Sequence, residues 1–84
     1  MNRMILRVRL FARAKELAGA ESIQLELVEQ ATVGELRRRI VQQHAVLRDL
    51  VPRSAIAVDE QFAEDEMVVR PEMTIAVIPP VSGG

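Results

Sequence analysis

Apolar and polar residues alternate from Met4 to Ala12, with Leu6, Val8 and Leu10 on one side and Arg7, Arg9 and Phe11 on the other, which is the two-residue period of a half-buried strand. Arg13 to Leu17 follows as a short helical turn, and Gly19 stands where a left-handed residue would end it. Alternation resumes with Ile23, Leu25 and Leu27 against Gln24 and Glu26, and the brief connection predicts an antiparallel hairpin. The period then changes. At Thr32 a hydroxyl caps a helix while Glu35, three residues on, reaches back in a capping box. Val33, Leu36, Ile40 and Val41 recur at helical spacing, which leaves Glu35, Arg37, Arg38, Arg39, Gln42 and Gln43 toward solvent. Val46, Leu47, Leu50 and Val51 predict a partly buried connection that Pro52 closes. Strands are expected over Ala55 to Val58, briefly from Met67, and from Thr74 to Ile78, with a polar turn at Asp59 to Gln61 and Arg70, Pro71 and Glu72 before the last strand. One helix covers only one face of a sheet. The expectation is therefore an α+β fold, a mixed sheet clasping one main helix with its other face open.

Composition narrows the chemistry. The 84 residues suit a single domain, with 49% hydrophobic residues to fill a core and 27% charged residues to cover it. A domain this small buries only about 60 to 65% of its unfolded surface, so a disulfide or metal would be expected as support. There is no cysteine. Disulfides, thiolate nucleophiles, persulfide carriage and thiolate metal sites are thereby excluded. His44, the single histidine, is expected to meet the terminal carbonyls of the helix rather than a metal. Eleven Lys and Arg against twelve Asp and Glu give a charge of −1, which leaves no long-range field for nucleic acid or an anionic membrane. Arg37, Arg38 and Arg39 are then a solvated face or a contact for an acidic partner. Asp59, Glu60, Glu64, Asp65 and Glu66 lack calcium-loop spacing and suit a charged loop. Met67 and Met73 suit packing. No Ser-His-Asp set stands out, and Ser82 has no base beside it. Arg7 and Arg9 interrupt the apolar start, whereas a secretory segment needs roughly 7 to 15 apolar residues and a membrane span about 20; a cytoplasmic protein is expected.

The last residues are Pro79, Pro80, Val81, Ser82, Gly83 and Gly84. Prolines after a strand stop the ladder and favour a stiff, extended exit, and four further residues reach roughly 13 to 14 Å at about 3.3 to 3.6 Å each. The final pair carries no side chain, so the end fits a narrow channel. Taken alone, it is equally a frayed terminus.

The strand-strand-helix-strand-strand order together with Pro-Pro-Val-Ser-Gly-Gly resembles the small subunits of molybdopterin synthase, ubiquitin-like β-grasp sulfur carriers. Leu10-Phe11-Ala12-Arg13-Ala14-Lys15-Glu16-Leu17-Ala18-Gly19 is similar to the family's strand-to-helix junction, Thr32-Val33-Gly34-Glu35-Leu36 to its helix start and Ala57-Val58-Asp59 to its third strand. One departure is Arg70-Pro71-Glu72-Met73, where the family usually has an Asp-Gly-Asp type turn; proline fixes φ and offers no left-handed residue, so a different turn is expected there.

The resemblance implies a β-grasp domain over residues 1–78 and a tail over 79–84. It makes the Gly84 carboxylate the reactive group: an E1-like adenylyltransferase activates it with ATP, and a sulfur donor converts it to a thiocarboxylate. Pro79 to Gly83 carry it into the large subunit, where sulfur passes to a cyclic pyranopterin during molybdenum cofactor biosynthesis in a heterotetrameric synthase. On that reading the chain binds no cofactor or metal, meets neither nucleic acid nor membrane, and is a non-catalytic subunit whose active site lies on its partner. In a β-grasp sheet the first and last strands are neighbours, so alternation sets Phe11 and Ile78 on the open face, where Phe62 can join them as a docking patch for the large subunit; the alternative is that Phe11 and Phe62 fill the core. Two other functions stay open: a sulfur carrier for thiamine or transfer-RNA thiolation, and a non-catalytic β-grasp binding module whose tail is incidental.

Overall fold

A computed structural model describes residues 2–81. The first alternation builds β1 (Arg3–Leu10), with Met4, Leu6, Val8 and Leu10 buried and the odd positions exposed. Beyond it the chain reverses at Ala12, which adopts φ 52°, a left-handed value that costs a non-glycine residue about 1 to 2 kcal/mol. The expected helical turn is a full helix, α1 (Ala12–Ala18), closed by Gly19 at φ 68° with its N–H donating to the Lys15 carbonyl at 2.9 Å. β2 (Ser22–Val28) returns antiparallel to β1, pairing Leu6 with Leu25 and Val8 with Ile23, so the two strands share one apolar face.

That face is covered by α2 (Val33–Gln43), whose Val33, Leu36 and Ile40 are fully buried. Both halves of the capping box form: the Glu35 N–H donates to Thr32 Oγ1 and the Thr32 N–H to Glu35 Oε1, each at 3.2 Å. Two more N–H groups of the first turn, on Val33 and Gly34, donate to the carbonyls of Met67 (2.8 Å) and Asp65 (2.9 Å). The acidic loop is thus docked on the helix start, where exposed donors need acceptors.

The polar side of α2 is solvated at Arg38, Gln42 and Gln43, as spacing suggests, but not at Arg37. Arg37 donates from Nε to Asp65 Oδ1 at 2.9 Å and from Nη1 to the carbonyls of Val51 (2.8 Å) and Ser54 (2.7 Å), tying three segments together. Arg39 Nε donates to the Glu26 carbonyl at 2.9 Å. Of the triplet only Arg38 is fully exposed. His44 ends the helix, yet its Nε2 lies 3.3 Å from the Gln24 carbonyl of β2, so it meets the neighbouring strand and not the helix terminus.

The connection consists of two 3-10 turns, Ala45–Leu47 and Val51–Arg53. Leu47, Leu50 and Val51 are buried as expected and Val46 is exposed. Pro52 lies inside the second turn at its start, where the missing N–H costs nothing, rather than closing the segment. β3 (Ala55–Val58) then turns into β4 (Gln61–Phe62) through Asp59 and Glu60, both left-handed at φ 50° and 70°, the geometry of a two-residue hairpin. A strand does not form from Met67. The chain there runs beside the start of α2 and makes an isolated bridge between Thr32 and Val68. The Arg70–Met73 turn closes with a Met73 N–H to Arg70 carbonyl bond of 3.1 Å and no left-handed residue, so proline serves where the family's glycine is absent.

β5 (Ile75–Ile78) runs parallel to β1 and antiparallel to β3, giving the order β2-β1-β5-β3-β4. This is a β-grasp sheet.

Candidate functional site

The open face is built by the residues that alternate with the core. Along β5 Ile75 and Val77 are buried in the core cluster, so Ala76 and Ile78 point the other way; along β3 the core takes Ile56 and Val58 and leaves Ala55 and Ala57. Register joins these positions across the sheet. Phe62 pairs with Ala57, Ala57 with Ala76, Ala76 with Arg9, and Arg9 with Ser22, while Ile78 pairs with Ala55. Leu10 pairs with Val77, so Phe11 follows at the Ile78 end.

Phe11 is 40% and Phe62 76% exposed, and Ile78 is half-buried. Neither phenylalanine fills the core. The three side chains share a face without clustering, since β3 and β5 separate β4 from β1 by about 14 Å at roughly 4.8 Å per strand, and Phe11 lies two residues beyond the Arg9 position that Phe62 faces across the sheet. Between them lies a floor of alanines. Arg9, which belongs to the same face by the period of two, sits over the Phe11 ring at 5.2 Å. That contact was available to sequence reasoning from the spacing of the two residues. The alanine floor was not, because alanine fits either face.

The tail leaves from the same end. Pro79 is buried against the body, Pro80 is exposed and Val81 is 92% exposed, so the free part of the tail starts at Pro80. Ser82, Gly83 and Gly84 lie outside the described residues. Among the described residues no group of three His, Asp or Glu side chains is arranged to hold a metal ion, and no helix is long and apolar enough to cross a membrane.

Residues 8–84 match the ThiS family model. The chain belongs to the ThiS family. A curated relative, the molybdopterin synthase sulfur carrier subunit of Arabidopsis thaliana, is 30% identical over 94% of this chain and 82% of its own length. Among solved structures, SAMP1 from Haloferax volcanii superposes with a TM-score of 0.83 at 25% identity, covering 96% of this chain and all (100%) of that one. A chain from the complex of subunits 1 and 2 of the molybdopterin-converting factor of Helicobacter pylori shares the fold, with a TM-score of 0.67 at 24% identity over 96% of this chain and 100% of that chain. The ThiS family chain is thus a ubiquitin-like α+β protein, similar along its length to sulfur carrier subunits, and its exposed apolar face lies at the root of its C-terminal tail.

Proposed function

We propose that this chain is the sulfur carrier subunit of molybdopterin synthase in molybdenum cofactor biosynthesis. The observation that carries the reading is the likeness along 94% of the chain to a molybdopterin synthase sulfur carrier subunit, within a family match over residues 8–84 that runs through Pro-Pro-Val-Ser to the terminal glycine pair. Residues 1–78 act as the body and 79–84 as the arm. An oxygen of the Gly84 carboxylate attacks the α-phosphorus of ATP on an adenylating partner, pyrophosphate leaves, and a mixed anhydride forms. Hydrosulfide supplied by the donor then adds to the acyl carbon, AMP departs as its bond to that carbon breaks, and loss of the sulfur's proton leaves a thiocarboxylate. On the large subunit that sulfur attacks a side-chain carbon of the cyclic pyranopterin, forming a carbon–sulfur bond as the carbon–oxygen bond at that carbon breaks; water then cleaves the acyl–sulfur bond, which leaves the sulfur on the pterin and restores the carboxylate. Phe11, Phe62 and Ile78 dock the body on the large subunit so that the arm enters its active site. Placing the acyl group in this way is the chain's whole contribution to catalysis, because held geometry converts a bimolecular step into a local one. This setting is the cytoplasm.

A second reading is favoured by the likeness to SAMP1, a small archaeal modifier protein. In it the activated Gly84 is joined to an amine of another protein. Intact mass spectrometry after incubation with adenylating enzyme, ATP and a sulfur source separates the two. Exchange of one oxygen for sulfur on Gly84 is expected; an unchanged mass with a competent enzyme counts against carriage, and a covalent adduct with a second protein favours the modifier.

A further inference from the structure

Along β1 the open face changes character. Its outward residues are Arg3, Ile5, Arg7 and Arg9, with Phe11 following, while the strands beyond it present alanines, Ile78 and Phe62. Arg3 has a carboxylate partner, Glu26, at 3.3 Å. Arg7 and Arg9 have none among the described residues: Arg7 Nε donates to the Ser22 hydroxyl at 3.1 Å, and Arg9 lies over the Phe11 ring. Both are exposed and, with Ser22, Met73, Thr74 and Glu21, line an open depression of about 590 Å³. Glu21, the one acid there, lies 4.0 Å from Lys15 Nζ. Two unpaired guanidiniums side by side are notable in a chain of net charge −1.

We propose that Arg7 and Arg9 form an anchor for carboxylates on the docking surface of the large subunit, set beside that surface's apolar centre. The proposal rests on the reading that this face docks the large subunit. A floor of alanines has little relief with which to resist sliding, whereas paired charges fix register and suppress wrong partners. Guanidinium suits the task because its planar fork takes a carboxylate in a bidentate pair. Stacking on Phe11 restrains the Arg9 plane before the partner arrives, which lowers the ordering cost of docking. In free solution such a pair contributes little. Its effect appears when docking excludes water.

The test is the affinity of the full chain for the large subunit, measured by titration calorimetry from low to high sodium chloride, with a thermal melt for every variant. Arg7→Gln with Arg9→Gln is expected to weaken binding about ten- to a hundredfold at low salt and to flatten the salt dependence; Arg7→Glu with Arg9→Glu is expected to weaken it further. If the charge reversal unfolds the chain, the glutamine pair decides alone. Wild-type affinity and salt slope in the glutamine pair, with Phe62→Glu still abolishing binding, overturn the anchor and leave the docking reading standing. Failure of the wild type to bind the large subunit at any salt overturns both.

Discussion

The two faces of the sheet are made by the same strands and differ in what their alternate residues are. Toward α2 stand Leu6, Val8, Leu10, Leu25, Ile56, Ile75 and Val77, nearly all without solvent exposure. Toward the outside stand two phenylalanines, three alanines, two isoleucines and three arginines, with Ser22, Gln24 and Glu26 of β2 at the polar edge. Branched aliphatic side chains fill volume, and the helix side uses them for that. On the open face the β1–β2 side is charged and polar, while β5, β3 and β4 present Ile78 and Phe62 around small alanines, the composition expected of the proposed docking surface. One face holds the fold and the other is available to function, so substitutions on the two should separate stability from binding.

The most damaging change should be on the closed side. Leu36→Ala, at a fully buried position of α2, is expected to cost about 2 to 5 kcal/mol in chemical denaturation, a large share of the stability of a chain this small. Next comes Arg37→Ala, which removes the ion pair to Asp65 and both carbonyl contacts; about 2 kcal/mol is expected, against near zero if the residue were the solvated arginine its position in the triplet suggests. Thr32→Ala breaks the capping box and should lower the unfolding free energy by about 1 kcal/mol. Smallest in stability is Phe62→Glu on the open face, expected within about 0.5 kcal/mol of wild type. The same variant should lose complex formation with the large subunit. A strong loss of stability from it would erase the distinction between the faces.

Much of this division is legible in the chain itself. The period of two sorts β1 and β2 correctly, Thr32 and Glu35 mark the start of α2, and Gly19 marks the end of α1. What escaped has physical causes. β4 is only two residues long, and its turn places Asp59 and Glu60 in left-handed conformations without a glycine to signal them. Met67 to Val69 look like a strand because they are apolar, yet they are drawn beside the start of α2 by the bonds from Val33 and to Ala31. Arg37 follows helical spacing onto a polar side, and only tertiary structure brings Asp65, Val51 and Ser54 around it. On the open face Phe11 and Ile78 follow from alternation, whereas Phe62 needs the β3–β4 register to join them. The proposed reactive end, Gly84, is read from the sequence, within the span that the family model matches.

The central claim is that this chain brings sulfur on its terminal carboxylate and no catalytic side chain. Single-turnover synthesis by the reconstituted two-subunit complex tests it most directly, using chains ending in thiocarboxylate or in carboxylate, with molybdopterin measured against thiocarboxylate consumed. The expected result is product only from the thiocarboxylated chain, with two chains spent for each dithiolene formed, and none from a chain lacking Gly84. Equal product from the carboxylate form, or from the chain without Gly84, would contradict the account.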